Sequence, residues 1–511
     1  MKIREITYGI IIGCIVLLAQ ACNEDEFLEE VNPGEFTTDN AFTSEAGFQS
    51  AIWWLYGDAR EYLYEAERRG HAFQAGTDLF HVTENMNELF HIYSFTTSPS
   101  RSDWQWIRWY KMVSNANLIL AKLDEIELDV AVETRIEAEA RFFRAFAYRI
   151  IGGLYGNAPL ILEAVTEAKN DFEQSPQEEI YAQVVADFEF AAQNLPGITE
   201  VSDAQVSDLT AYHALSEAYL AIGDYGAAEA AASVVINDPN TALMTERFGS
   251  LAGEPGDVFY DLFRIGNQNR STGNTESLWV IQQETDVPGG ANVSNRNRGA
   301  RMERVFAPLS RGLFAMDQNT RELITDDEGN PVSVDQIWPV STIGGGGRGI
   351  GWLAPTLYVT NTIWEDVNGD IDFNDIRTSW YNLPRRFPFN NPESPFFNDT
   401  LYVETPEQVY DFVETIESVS ADTEVWKSKG LWPRGMYPYF TKVTTPGQHP
   451  ENLVLDPVTR VMEGFAGARY GDIAKYRLAE TYLLRAEARL QQGNTGGAAE
   501  DINVVRNRAN A

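Results

Sequence analysis

The run Asp366-Val-Asn368-Gly-Asp370-Ile-Asp372 places oxygen-bearing side chains at alternate positions, a spacing that could hold a hard cation. This is the first half of an EF-hand loop, in which Ca2+ gathers several carboxylates and carbonyls. The match then breaks, because Ile371 stands at the glycine position and Arg377 at the bidentate glutamate position. Calcium on Asp366, Asn368, Asp370 and Asp372 is therefore weighed against a turn whose Asp and Asn cap their own backbone. Gly344-Gly-Gly-Gly-Arg348-Gly349 satisfies G-x-G-x-x-G, but Pro355 follows closely and no helix starts there, so no dinucleotide site is expected. His71, His81, His91, His213 and His449 contain no H-E-x-x-H and read as unrelated surface or loop residues.

The chain that must position such groups has 511 residues and a formal charge of -36, which argues against nucleic acid as a partner. Its 44% hydrophobic content suits a globular protein with a real core. The 12 tryptophans are many for so acidic a chain, and aromatic rings either fill cores or face ligands.

The first residues read as an export signal. Lys2 and Arg4 precede an apolar stretch from Ile6 to Leu18, too short to span a bilayer, and Ala19-Gln-Ala21 leads to Cys22. Small residues before a cysteine suggest a lipobox, with lipid attached to the Cys22 thiol, although Ala19 stands where leucine is usual. Cys14 leaves with the leader, so the mature chain keeps one cysteine and has no disulfide. Residues 1–21 are thus a signal peptide and 22–35 an acidic tether.

Beyond the tether, residues 36–240 are helical in pattern, 241–470 loop-rich and 471–511 helical again. The middle stretch holds 16 of the 22 prolines and 7 of the 12 tryptophans, which rules out a helical bundle there. In Ala211–Ile222 the apolar positions step by three and one along one helical face. Gly223-Asp224-Tyr225 then turns the chain into a second helix through Ala227, Ala228 and Ala231. Helix, glycine turn and helix with small residues at the crossing is the tetratricopeptide pattern. It recurs around Gly493-Asn494, and partly in Ala138–Phe146. Because repeats bury their faces against neighbours, the two flanks are expected to stack as one scaffold with the middle stretch looped out. The expected fold is all-α dominated: a tetratricopeptide-like repeat scaffold with a large irregular insertion carrying minor β.

Four segments resemble the SusD/RagB outer-membrane nutrient-binding lipoproteins. They are Thr38–Phe42 with Tyr56; Trp106, Trp109-Tyr110 and Ala116-Asn117; Ala138–Tyr148 followed by Tyr155-Gly-Asn-Ala-Pro159-Leu160; and Tyr476–Ala488 followed by Ile502–Ala509. Members usually continue past this last element, so either this sequence is a piece of a longer chain or the protein lacks a terminal segment. The resemblance implies a non-catalytic protein lying over a TonB-dependent SusC-like transporter, anchored to the outer membrane by lipid, holding an oligosaccharide or peptide on its insertions.

A pyranose face stacks on Trp or Tyr while its hydroxyls need polar partners, so exposed loops are the expected ligand surface. The candidates are Tyr93, Trp104, Trp338, Arg348 and Trp352, with Asp78 and Asn85 as polar contacts. Trp106, Trp109 and Trp279 read as core. A glycoside hydrolase with an unrecognised carboxylate pair and a structural repeat adaptor are the alternatives.

Overall fold

The computed structural model describes residues 41–65, 77–83, 99–165, 167–284, 287, 300–309, 313–315, 317, 320, 322–332, 349–388, 398–415, 430–444, 448–451 and 470–510. Cys22 and the other residues expected to form a leader and tether lie outside that set. By internal packing the chain divides into Met1–Ser50 and Ala51–Ala511. Within the first unit, the Ser44 carbonyl accepts the amides of Gly47 and Phe48, and the Phe42 and Phe48 rings meet edge to face at 5.0 Å.

Helices form where apolar residues recur every three or four positions. They are α1 (Glu45–Arg60), α2 (Pro99–Leu123), α3 (Val130–Tyr155), α4 (Gln177–Asn194), α5 (Asp208–Ile222), α6 (Tyr225–Asn237), α7 (Leu478–Gln491) and α8 (Thr495–Arg508). In α2, Trp109, Met112, Val113, Ala116 and Ile119 are buried along one stripe. Helix α3 starts where the Asp129 carboxylate accepts the Ala131 amide and ends at Gly156, whose φ of 71° lies in the left-handed region. It is buried on more than one face: Phe142, Phe143 and Phe146 are all fully covered, each contributing about 1.5–3 kcal/mol of transfer free energy.

The repeat turn is built as the sequence implies. Helix α5 opens with a capping box in which Ser207 and Thr210 bond reciprocally, and closes at Gly223 with φ 81°. Asp224 then caps α6 by accepting the Ala227 amide. The same device follows α7, where Gly493 has φ 81° and Asn494 caps α8 through the Gly497 amide. Ala211, Ala214 and Ala218 of α5 and Ala228, Ala231 and Ala232 of α6 are buried, which brings the backbones close enough for Ser216 Oγ to donate to the Ala228 carbonyl at 3.0 Å.

The helices α2 to α6 stack in sequence order, and α6 then packs on α7, which packs on α8. Arg489 Nε donates to Glu229 Oε1 at 2.8 Å across the α6–α7 junction. The two flanks are therefore one scaffold, and the fold is the helix-dominated repeat with minor β that the periodicity predicts.

The middle stretch returns to that scaffold at defined points. Strand β2 (Ser277–Ile281) pairs antiparallel with β8 (Ile473–Arg477), the segment leading into α7. Trp279 of β2 is buried among Tyr56, Phe142, Phe143, Phe146 and Tyr476, as its strand pattern predicts. The Ile376 amide donates to the Ala509 carbonyl just after α8. Three further two-stranded pairs are antiparallel: β1 (Phe80–Val82) with β4 (Leu353–Pro355), β3 (Leu313–Ala315) with β7 (Val413–Thr415), and β5 (Arg386–Pro388) with β6 (Thr400–Tyr402). The β1–β4 pair brings a segment from before residue 240 into the insertion. The insertion has its own cores, one around Phe387, Trp432, Met436, Tyr437 and Tyr439, another around Val305, Phe306, Trp352 and Leu353.

Candidate functional site

A surface with exposed rings is built where β4, the β5–β6 hairpin and the start of β1 meet. After β4, the Thr356 amide donates to the Leu79 carbonyl at 2.9 Å and its hydroxyl to the Asp78 carbonyl at 2.6 Å. A one-turn helix, Leu357–Thr360, then buries Val359 and Thr360 and leaves Tyr358 49% exposed. The hairpin alternates with period two: Phe387, Leu401 and Val403 point into the core, while Arg386 and Tyr402 point out. Arg386 and Tyr402 are cross-strand partners, and the guanidinium lies 5.5 Å from the ring centroid. Glu404 stands 3.5 Å from the same guanidinium.

The one-turn helix and hairpin are tied together. Asn361 Nδ2 donates to the Glu404 carbonyl at 3.1 Å, and Arg385 donates to the Thr360 carbonyl and, at 3.4 Å, to Asn361 Oδ1. Trp432 Nε1 supports the helix from below through Thr360 Oγ1 at 3.1 Å. The result is a braced platform that carries the exposed rings Tyr358 and Tyr402, the Arg386 guanidinium over the Tyr402 ring, Glu404 beside that guanidinium, and exposed Asp78 on the segment bonded to Thr356. A cleft of about 460 Å3 elsewhere, between Ile198 and Val280, is a poorer candidate. Its Asp203 carboxylate is spent on the Arg270 amide and the Ser271 amide and hydroxyl, and aliphatic and small polar groups line the rest.

Of the residues picked from sequence, Asp78 lies at the edge of this platform and is exposed. Trp104 is half-buried on α2, edge to face with Tyr62 at 6.3 Å and 5.6 Å from the Arg108 guanidinium. Trp352 requires correction: it is 3% exposed, packed with Val305, Phe306 and Leu353 beneath the Arg304 guanidinium, and presents no face to solvent. Loop residues flanked by apolar neighbours, here Ile350 and Leu353, anchor a loop more readily than they display it. Tyr93, Asn85, Trp338 and Arg348 lie outside the described residues. Trp109 is core, as expected, and Trp106 is half-buried against Tyr110 and Tyr155. Tyr402 was legible in principle as an outward strand residue, since Thr400-Leu-Tyr-Val-Glu404 sets Leu401 and Val403 on one face and Thr400, Tyr402 and Glu404 on the other.

The Asp366 loop is a turn capped by its own side chain. Asp366 Oδ1 accepts the amides of Asn368 at 2.7 Å and Asp370 at 3.1 Å, Oδ2 accepts Asn368 Nδ2 at 3.1 Å, and Gly369 takes φ 85°. These donors hold its carboxyl below the usual range, the Asn368 amide most of all. Asp326 organises Asp327-Glu-Gly329-Asn330 in the same way, with amides of Glu328 and Asn330 at 3.1 and 2.8 Å and Gly329 at φ 84°. One local turn grammar, used twice, accounts for the arrangement of Asp366, Asn368 and Asp370; Asp372 caps Asn374 instead.

The buried histidines also depart from the surface reading. His449 Nε2 is 2.7 Å from Glu303 Oε2 with both side chains fully covered. His213, on α5, has Nδ1 2.8 Å from Thr481 Oγ1 and Nε2 3.6 Å from Glu480 Oε2. His213, Glu217 and Glu480 present ligand atoms within 4.8 Å of one another. Arg149, 3.2 Å from Glu217, and the half-buried Lys475 already offset the two carboxylates, so a cation there would meet like charges. Burial holds the His213 imidazole below its ordinary pKa.

The resemblance motifs prove to be struts. Arg144 makes two 2.8 Å bonds to Asp187 on α4 and a 3.0 Å bond to Asn117 on α2, joining three helices. Tyr148 accepts the Ile161 amide and donates to its carbonyl, and Tyr110 donates to the Pro159 carbonyl at 2.7 Å, pinning the Asn157–Leu160 turn. Arg485 grips Asp501 through two nitrogens at 3.0 and 2.7 Å. Arg477 and Arg508 both bind the fully buried Glu276 beside β2.

Residues 26–220 match a SusD-like family described as "Starch-binding associating with outer membrane", and residues 464–511 match the SusD family. "SusD-like protein P2" of Formosa agariphila is 32% identical over 178 residues, 34% of this chain and 33% of that protein; the match thus spans a third of the relative's length. The fold aligns with a solved "Laminarin binding SusD-like protein" at a TM-score of 0.60 and 19% identity, over 91% of this chain and 84% of that one. It aligns with "Surface glycan-binding protein A" from Bacteroides thetaiotaomicron, solved "in complex with laminarihexaose", at a TM-score of 0.58 and 16% identity, over 91% and 83%. Helical repeat, buried struts and both terminal matches thus agree: residues 26–220 and 464–511 are similar to SusD-family sequences, and the fold is that of solved SusD-like proteins.

Proposed function

We propose that this chain is a non-catalytic glycan-binding lipoprotein that captures oligosaccharides at the cell surface and delivers them to a TonB-dependent, SusC-like transporter in the outer membrane. The observation that carries the reading is the platform: two half-exposed tyrosines, a guanidinium and carboxylates held on a braced support, the combination a sugar ring needs. The matches to SusD-like sequences and the glycan-binding neighbours support the same class of ligand, and laminari-oligosaccharides are the first to try.

Attachment through lipid on Cys22 fits the leader. Among the described residues no helix is long and apolar enough to cross a membrane. Titration of the mature protein with a glycan panel, read by tryptophan fluorescence, tests the reading. Saturable binding without product release is expected. Hydrolysis of any glycan would assign an enzyme instead, binding of peptides alone would change the ligand class, and binding of neither would refute capture. Cys22→Ala is expected to leave the protein unanchored; membrane attachment with the leader cleaved would refute the lipid anchor.

A further inference from the structure

We propose that the platform takes uncharged oligosaccharides and discriminates against those bearing uronate or sulfate groups, with Glu404 as the selectivity residue because it keeps Arg386 occupied. The inference rests on the capture reading above and specifies its ligand.

Among the platform's described residues, Arg386 is the exposed cation, and it stands cross-strand from Tyr402. It lies over the Tyr402 face with Glu404 at 3.5 Å, so its charge is already answered before any ligand arrives. The neighbouring cations are spent elsewhere: Arg385 is buried and donates to Thr360, while Arg377 is held by Asp375 through Nε at 2.9 Å and lies over Trp364. Against this stand the exposed carboxylates of Asp78, Glu365, Asp366, Asp370, Asp399 and Glu407, all on the segments that build or flank the platform. The whole chain carries a formal charge of -36, so no distant positive field offsets them. A neutral sugar loses nothing here, since its hydroxyls can donate to Glu404 and Asp78 and accept from Arg386. A uronate brings a like charge into a negative field and must compete with Glu404 for the Arg386 guanidinium, a cost that the platform's described residues do not offset.

The test uses the full mature protein and three forms of one oligosaccharide: the best neutral binder from the panel, its C6-oxidised uronate form, and that uronate re-esterified with methanol. Calorimetry should show the neutral and ester forms binding alike and the uronate at least tenfold more weakly. The gap should close as salt rises from about 0.01 to about 1 M, where the screening length falls from about 30 to about 3 Å. Glu404→Gln frees Arg386 and should narrow the uronate-to-neutral affinity ratio severalfold, while Glu365→Gln, outside that ion pair, should narrow it less. Equal or tighter uronate binding, or a panel in which only anionic glycans bind, overturns the selectivity and leaves capture standing. A uronate penalty that Glu404→Gln leaves unchanged overturns the role of Glu404. If the ester is as weak as the uronate, bulk at C6 and not charge is responsible, and the inference fails. If no glycan of either kind binds, the capture reading fails and this inference with it.

Discussion

Replacing Asp187 with alanine should be among the most damaging single changes in the scaffold. Its side chain is fully buried and takes Arg144 Nε and Nη2 at 2.8 Å each, with Arg141 3.6 Å away. Asp187→Ala leaves the Arg144 guanidinium, itself 7% exposed, with the Asn117 carbonyl oxygen as its remaining close side-chain partner. Stranding one member of a buried pair costs about 3–5 kcal/mol, a large part of the about 5–15 kcal/mol that holds a typical domain folded. The double change Arg144→Met with Asp187→Leu removes both charges and leaves Asn117 Oδ1 and, more weakly, the Leu162 carbonyl short of a donor, a deficit of about 1–2 kcal/mol. The double variant should therefore be more stable than Asp187→Ala by about 2 kcal/mol. Urea unfolding followed by tryptophan emission reads this, because Trp109 and Trp279 both pack on Phe146 of the same helix, at 5.9 and 5.8 Å. An Asp187→Ala variant within about 1 kcal/mol of the parent, or a double variant no better than the single, would refute the strut assignment.

Tyr402→Ala and Tyr358→Ala should each weaken oligosaccharide binding about tenfold in calorimetry, the loss of roughly one stacking contact, while leaving the unfolding midpoint nearly unchanged because both rings are half-exposed. Trp352→Ala should do the reverse, costing about 3–5 kcal/mol of stability through a core cavity; lost binding with stability intact would restore it as a ligand residue. His81, whose Nε2 is 3.2 Å from the Trp432 carbonyl, is held by burial at a pKa of about 4 against an ordinary 6.5. A depressed imidazole contributes stability that is complete above pH 6.5 and lost as pH falls toward 4, at most about 3 kcal/mol, and His81→Gln should flatten that limb of an acid-unfolding curve. A calcium titration of the Asp366 turn is expected to leave the melting temperature unchanged, since the carboxylate already has three donors of its own; a rise that Asp366→Ala abolishes would show an ion there.

The repeat scaffold was legible because its rules are local. Gly223-Asp224 and Gly493-Asn494 announce a left-handed turn and a cap within two residues, and the alanines mark the crossing. Trp279 was legible as well, since a buried strand residue needs only apolar neighbours. The platform was not, because Tyr358, Arg386 and Glu404 meet through Asn361 and Arg385, and only folding decides which of many loop rings face outward. Trp352 shows the cost of reading exposure from loop composition: its surroundings come from Val305 and Phe306, far away in sequence. Arg144 could be quoted as part of a motif, but nothing local reveals that its partner is Asp187 on the next helix.

The docking of α6 on α7 joins residues as far apart as Glu229 and Arg489, 260 positions along the chain. Closing so long a loop is not ruinous thermodynamically, since each doubling of length adds only about 0.6 kcal/mol, but it is slow. During synthesis, α2 to α6 can stack as they emerge. The far side of α6, however, must wait bare until α7 and α8 have crossed as well. That interval leaves one unfinished hydrophobic end on an otherwise assembled stack, the kind of surface on which holding chaperones act and on which two half-made chains could swap their last helices.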